Sequence, residues 1–385
     1  MKILIVNNNM HIGGIQKALL NLLNEIGDLY DVTLLLFYPV GELIEDIPPN
    51  IKVIYGNCFT KILGMSQAEA KADGVLTVLW RTLFVVITKL LGTKISFGIL
   101  SRMQKLDDVY DAAISYMQNG YFKMFYGGSN EFVINSVKAK RKISFVHCDF
   151  KNYEGNNKYN RDFYKHFDTV ACVSESVGNR FLSATGLDKN KVQCVYNCCN
   201  YEEIKSLADE YVGEYKDGCI NIFTAARLSE EKGFFRMLDI FKSIKDTGLN
   251  FIWRIAGDGP QRDIIKNKIE ELGLEKEIIM LGILKNPYPY FKSSDLLLVP
   301  SYNEAAPMVF DEAWALGIPI LTTDTTSAKE LVLDRDIGVV CKNNDDAIKS
   351  ALIDILKNKL ERNDIQLFSN KRAVKQFNDI VGEKS

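Results

Sequence analysis

Residues 2–38 read KILIVNNNMHIGGIQKALLNLLNEIGDLYDVTLLLFY, and their periodicity decides the fold. The opening run KILIVNNN, residues 2–9, reads as a buried strand, its first half apolar and rich in branched side chains. Ile15, Leu19, Leu22, Leu23 and Ile26 then recur at helical spacing, and DVTLLLFY at 31–38 is a second apolar run. Strand, helix and strand joined by short loops make a βαβ unit, whose crossover sets the two strands parallel.

The same plan begins again in the second half. CINIFTAAR at 219–227 reads as a strand, FFRMLDIFKSI as a helix and FIWRIAG as the next strand. Beyond it the pattern predicts a helix near 261–272, a strand near 277–282, a short helix near 286–292 and the strand DLLLVP. A helix over 308–316, the strand IPILTTD and a last strand near 338–341 complete it. Such alternation specifies an α/β chain with two Rossmann-like, doubly wound parallel-sheet domains. The expected division is a first domain over 1–200, a second over 201–365 and a terminal helix over 366–385 that packs back on the first. The boundary falls in the polar stretch 198–218.

With 385 residues, 47% hydrophobic and 25% charged, the chain has enough apolar material for two cores and lacks the composition of a disordered polymer. A net charge of −2 excludes a nucleic-acid-binding composition. The eight cysteines form no C-x2-C pair, so no zinc site is expected. The chain opens on a strand-like MKILIV without a charged, apolar and cleavable leader, so the expectation is a cytoplasmic protein with reduced thiols.

One segment departs from the alternating plan. Residues 60–105 read as an insert, and within it GVLTVLWRTLFVVITKLLGTKISFGILSRM at 74–103 is apolar yet interrupted by Arg81, Lys89, Lys94 and Arg102. Across 51–106 eight Lys and Arg stand against only Glu69 and Asp73. Arg81 and Lys89 argue against a membrane span. Two readings stay open: an amphipathic helix pair packed on the first domain, or a face that lies on an anionic membrane.

Four groups of residues carry chemistry. His11-Ile12-Gly13-Gly14 separates the first strand from its helix; two glycines permit close backbone approach of a ligand to the helix N-terminus, although glycine pairs are often mere turns. This is not the G-x-G-x-x-G fingerprint of dinucleotide enzymes. Arg227 and Lys232, in AARLSEEKGF, follow the first strand of the second half, where open α/β sheets bind ligands. They suit a diphosphate, or else form surface pairs with Glu230 and Glu231. In SYNEAAPMVFDEAWALGIP at 301–319, Glu304 lies in a loop and Glu312 in a helix begun by Pro307. Two acceptor carboxylates flanking a positive helix end suit sugar hydroxyls and phosphate, and a ligand's hydroxyls would compensate the charge of Glu312. His147, in ISFVHCDF, ends a strand of the first half; a lone histidine there is more often structural than catalytic.

Taken in order, Gly13-Gly14, VHCD at 146–149, VSESV at 173–177, ARLSEEKG at 226–233, AGDGP at 256–260 and the pair Glu304 and Glu312 make the chain resemble the retaining glycosyltransferases of family 4. Those similar enzymes include ones that assemble capsular polysaccharides or exopolysaccharides. The resemblance implies a GT-B fold, two Rossmann-like domains facing across a cleft, over nearly the whole chain. It implies that Arg227 and Lys232 hold the diphosphate of a nucleotide-sugar donor, that Glu312 takes its ribose and Glu304 the transferred sugar, and that His147 lies near the reacting carbon. Gly13, Gly14, Ala306, Pro307, Met308 and Val309 would line the substrates. The implied acceptor is a saccharide, lipid-linked at the inner face of the cell membrane, and the implied donor base is uracil. No cofactor and no metal are implied, and Asp334-Arg335-Asp336 reads as a solvated turn. Ala305-Ala306 replaces a usual glycine and Cys198-Cys199 a usual proline hinge, which bears on which donor is used. A nucleotide-sugar epimerase and an inactive sugar-nucleotide-binding partner share the architecture and remain alternatives.

Overall fold

The structure is a computed structural model that describes residues 1–362 and 369–382. Part of the expected terminal helix, at 366–368 and 383–385, lies outside the described residues. The chain divides into two units, one of Met1–Cys198 with Asn370–Ser385 and one of Cys199–Ser369.

In the first unit the strands are β1 (Lys2–Asn7), β2 (Asp31–Leu36), β3 (Lys52–Tyr55), β4 (Val109–Ser115), β5 (Lys138–Val146), β6 (Thr169–Cys172) and β7 (Val192–Cys194). They lie in the order β3-β2-β1-β4-β5-β6-β7, all parallel. Strand order reverses between β1 and β4, because chain growth runs one way to β3 and then crosses back past β1. At such a switch point the connections diverge to opposite faces and leave a crevice beyond the carboxyl ends of the strands. Helix α1 (Gly14–Ile26) covers one face, burying Leu19, Leu22, Leu23 and Ile26 against Ile3, Ile5, Leu34 and Ile114. The helix Lys371–Val381 joins the same core through Ala373, Phe377, Ile380 and Val381, and Tyr30 donates to Asn378 Oδ1 at 2.7 Å.

The second unit repeats the device. Its strands β8 (Ile220–Ala225), β9 (Phe251–Ala256), β10 (Ile278–Gly282), β11 (Leu296–Val299), β12 (Ile320–Thr323) and β13 (Gly338–Cys341) run parallel in the order β10-β9-β8-β11-β12-β13. Its switch point falls between β8 and β11. Trp253, Phe234, Phe241 and Phe251 fill the core beneath, and the Trp253 indole donates to Thr224 Oγ1 at 2.9 Å, so its one polar atom is satisfied. The periodic elements of both halves fall within a few residues of their expected positions, while the stretch at 198–218 contains the helix Tyr201–Ala208, capped by Asn200.

The insert is helical: α2 (Gln67–Asp73), α3 (Val75–Leu91) and α4 (Thr93–Leu100). Ser66 and Glu69 close a capping box at the start of α2, and Gly92, at φ 81°, breaks α3 from α4. Helix α3 is buried through Arg81, Phe84 and Thr88 and exposed through its leucines. Among the described residues no helix is long and apolar enough to cross a membrane.

Candidate functional site

In the second unit, the loops after β8 and β11 meet at the switch point. Lys232 Nζ lies 2.6 Å from Glu304 Oε1, which also accepts from Ser301 Oγ at 2.8 Å, and the Tyr302 amide donates to Glu231 O at 2.8 Å. Two residues 72 apart in sequence are thereby placed side by side at the carboxyl end of the sheet. Arg227 pairs with Glu231 at 2.8 Å and keeps a side chain that is 70% exposed, so this cation is free to swing to another anion. Burial alone would raise the Glu231 carboxyl, but hydrogen bonds from Ser229 and Arg227 outweigh it and hold it down at about 2. Of the surface pairs expected for Arg227 and Lys232, only the one between Arg227 and Glu231 forms; Lys232 turns inward to Glu304.

Backbone geometry fixes these loops. Gly233 sits at φ 71°, and a Cβ there would run into the Pro300 carbonyl. Gly257, at φ 142°, lies so close to the Ala226 carbonyl that a side chain would not fit; the AGDGP turn thus packs on ARL, with the Leu228 amide donating to Asp258 O at 2.9 Å. Arg236 holds the 300–304 loop from beneath: Nε donates to Pro300 O at 3.1 Å, Nη1 to Asn343 Oδ1 at 2.8 Å, and its guanidinium lies 4.0 Å from the Tyr302 ring centroid.

The helix Met308–Ala315 begins after Pro307, following Ala305 and Ala306, with no side-chain cap for its first amides, those of Met308 and Val309. Glu312 is 4% exposed on its inner face and accepts from the Tyr288 hydroxyl at 3.3 Å. The protein itself therefore supplies a hydroxyl donor to this carboxylate, where sequence reasoning looked only to a ligand. Tyr288 comes from a short helix 24 residues away whose apolar pattern gave no sign of such a role. Asp311, beside Glu312, is raised by burial and held back by Arg335, whose Nη1 lies 2.6 Å from it. Arg335 of the D-x-D stretch is thus an internal partner, and it also stacks 4.6 Å from the Trp314 ring.

The first unit fills its switch point differently. Gly13 ends the loop after β1 in an extended conformation, and Gly14 opens α1 with no side-chain cap and with open space where a Cβ would be. His11 fixes the loop, with Nε2 2.8 Å from Glu69 Oε1 and Nδ1 3.3 Å from Glu42 Oε2, while the Ile12 amide donates to Glu42 at 3.0 Å. The Glu69 contact, and less so Glu42, raise the His11 imidazole against the effect of burial.

His147 follows β5. Its amide donates to Gln118 Oε1 at 3.1 Å and its ring packs 4.8 Å from Tyr116 and 5.8 Å from Phe145. Although the residue keeps some exposed surface, its Nε2 is sealed from solvent with no protein partner. Burial pushes the imidazole down to about 4, a hydrogen bond to the Tyr116 backbone opposing it, so the ring is neutral at physiological pH. Behind the carboxyl ends of β4 and β5 lies a polar layer that sequence reasoning missed. Glu131, 1% exposed, accepts from Asn119 Nδ2 and from the Tyr159 hydroxyl, each at 3.2 Å, and Asn130 bridges Asn119 to Ser144. Only the folded chain brings these polar residues together, from the loop after β4, from β5 and from the helices before and after β5.

Arg227, Lys232, Glu304 and Glu312 thus gather within one unit, as Gly13, Gly14 and His147 stand at the carboxyl ends of β1 and β5 in the other. The first set can hold an anion and hydroxyls, with two cations, acceptor carboxylates and a positive helix end. Among the described residues no three His, Cys, Asp or Glu are grouped to hold a metal ion.

Residues 213–372 match the family described as glycosyl transferases group 1. The chain is 26% identical over 182 residues to an uncharacterised glycosyltransferase of Methanocaldococcus jannaschii, covering 46% of this chain and 45% of that protein. It is 29% identical over 125 residues to the amylovoran biosynthesis glycosyltransferase AmsD of Erwinia amylovora, covering 32% and 35%. The chain spans about half the length of the curated relatives it matches. A crystal structure of a mutant of S. aureus TarM, in complex with Fondaparinux, alpha-GlcNAc-glycerol and UDP, superposes with a TM-score of 0.70 at 10% identity, covering 99% of both chains. The two parallel sheets are those of the GT-B fold, and the match to the glycosyl transferases of group 1 falls on residues 213–372, which carry the second sheet.

Proposed function

We propose that the chain moves a sugar from a nucleotide-sugar, a UDP-sugar, to a hydroxyl of a saccharide acceptor in the biosynthesis of a cell-surface polysaccharide. The observation that carries this is the convergence of Lys232 and Glu304 at the second sheet's switch point, with Arg227 and the uncapped helix beside them. In the resting chain each cation rests on a carboxylate. A diphosphate entering between them would draw Arg227 and Lys232 onto its oxygens, leaving Glu304 to accept from the hydroxyls of the sugar and Glu312 from the ribose. The bond between the anomeric carbon and the diphosphate then breaks as the acceptor oxygen attacks that carbon, the acceptor hydroxyl passing its proton to the departing diphosphate oxygen. The leaving diphosphate gains charge, which the two cations and the helix end stabilise without a metal or cofactor. No carboxylate is placed as a covalent nucleophile in this scheme, so attack from the side of the leaving group, with retention, is the reaction assigned. The open space at Gly14 admits a substrate to the end of α1.

UDP, among the molecules bound in the TarM structure, supports a uridine donor, and the relative named for amylovoran biosynthesis supports a polysaccharide product. The basic, apolar insert supports a lipid-linked acceptor at the cytoplasmic face of a membrane. Calorimetric titration with UDP, GDP and ADP tests the donor, and NMR of the product anomer from a panel of UDP-sugars tests the reaction. UDP binding that is lost in Glu312→Ala, with a retained anomer, is the expected result. An inverted anomer sinks the retaining step, acceptor-independent conversion of one UDP-sugar into another would show an epimerase, and no binding of any nucleotide would sink the transferase.

A further inference from the structure

Helix α3 is apolar on the side it turns to solvent as well as on the side it buries. Leu76, Leu79, Leu83, Val86 and Leu90 follow one another at spacings of three and four residues and form a single stripe. That stripe faces solvent: Leu76 is 83% exposed, Leu79 62% and Leu90 76%. The opposite side buries Phe84 with Thr88 and Arg81, and Arg81 donates to Met65 O at 3.1 Å and Gln67 Oε1 at 2.7 Å and lies 5.5 Å from the Phe125 ring centroid. Helix α4 continues the apolar face with Ile95 and Ile99. Next to the break between the two helices, where the Thr93 amide donates to Phe122 O at 2.7 Å, a loop exposes Tyr121, Phe122 and Met124. A contiguous exposed apolar surface of this kind marks an interaction site.

Its charges say what it meets. Lys71, Lys89, Lys94 and Lys123 are all exposed on these helices and this loop. The two carboxylates of residues 67–103 are already engaged, Glu69 by His11 and the Ser66 amide and Asp73 by Lys61 and Thr77. The face is therefore apolar at its centre and cationic around it. A second copy would bring lysines against lysines with no carboxylate to receive them, and two heptads are short for a coiled-coil seam. With 17 residues and no candidate span, α3 is suited to lie along an interface rather than cross it.

We propose that α3, α4 and the loop at 121–124 dock the first unit on an anionic phospholipid bilayer, with α3 parallel to its plane, its leucines among the acyl chains and its lysines at the phosphates. The docking deepens the acceptor reading above and rests on it for its purpose, since a docked unit meets a lipid-linked saccharide where that saccharide resides. It further couples to the glycine loop, because Glu69 of α2 is the residue that grips His11.

The test is flotation of the full chain with vesicles of phosphatidylcholine mixed with phosphatidylglycerol, against vesicles of phosphatidylcholine alone. Two variants accompany it, Leu76→Ser/Leu79→Ser/Leu83→Ser and Lys89→Glu/Lys94→Glu. All five positions are exposed, so the fold is kept, as circular dichroism would verify. The wild type is expected to float with the anionic vesicles and to be released by salt. Each variant should lower partitioning by at least about tenfold, while UDP binding stays unchanged. Wild type that stays with the soluble fraction at low salt overturns the proposal, as does a triple variant that floats like wild type. A chain that does not float but is dimeric by light scattering, and monomeric once the leucines are replaced, would overturn it in favour of a copy-to-copy interface. Flotation with no UDP binding would leave the docking intact and sink the transferase reading instead.

Discussion

The two sheets share one crossover, yet they furnish its crevice with opposite chemistry. In the second unit the carboxyl ends of β8 and β11 carry cations and carboxylates that neutralise one another, Arg227 with Glu231 and Lys232 with Glu304. In the first unit the ends of β1, β4 and β5 carry glycines, amides and a neutral histidine, backed by the buried Glu131 layer. A crevice of paired charges can exchange its internal partners for those of an anionic ligand at little net cost. A crevice of amides and open backbone distinguishes hydroxyls by shape and hydrogen-bond direction. The fold sets where a ligand goes, and the loops decide its charge.

Lys232→Ala attacks the contrast at its strongest point. It removes a cation and leaves Glu304, with an 11% exposed side chain, without its ion pair; kcat should fall by roughly 10²–10³ with circular dichroism unchanged. A loss confined to KM would show that Lys232 binds the ground state only.

Glu131→Gln probes the other unit's buried layer. Burial raises this carboxyl to about 7 in the folded chain, its hydrogen bonds from Tyr159 and Asn119 opposing the rise. A folded-state value above the unfolded one means that stability is full below the unfolded pKa and is lost as pH rises through about 7. Glutamine removes that slope, so the variant should gain about 2–3 kcal/mol over wild type between pH 5 and pH 8. Equal pH profiles of Tm for the two proteins would mean that Glu131 is not the group responsible.

Gly14→Val places a side chain where the structure has open space. Stability should change by less than about 0.5 kcal/mol, whereas acceptor KM should rise about tenfold with donor binding intact, the outcome of a filled first crevice and an untouched second. Unchanged acceptor kinetics would remove Gly14 from the substrate path. Tyr288→Phe is the mildest, deleting the hydroxyl that donates to Glu312. A donor KM raised about fivefold at constant kcat corresponds to the roughly 1 kcal/mol of one hydrogen bond; equal falls in kcat and kcat/KM would instead place the bond in the transition state.

Whatever depends on local periodicity was legible in the sequence. The apolar runs at 2–7 and 220–225 and the helical spacing of Leu19, Leu22 and Leu23 are local facts, so the elements, their parallel pairing and the repeat of the plan could be read. The charged residues of the second crevice could be singled out because they lie just after strands. Their partners could not: that Lys232 reaches Glu304 rather than its neighbours Glu230 and Glu231 depends on strand order, and Tyr288 and Arg236 become relevant only when distant loops meet. Residues 74–103 showed their composition but not their direction, since hydropathy along a helix does not say which side the protein takes.

That direction inverts the ordinary expectation for substitutions along α3. Because Arg81 is the inward residue, replacing it with leucine, the change a hydropathy scale would call favourable, strips the Met65 carbonyl and the Gln67 amide of their donor and exchanges a satisfied interior for an unsatisfied one. Serine at Leu76 or Leu79, the change that scale would call harmful, leaves the interior untouched. A deep mutational scan read by folding alone would therefore mark Arg81, with Phe84, as intolerant and leave the leucine stripe nearly blank.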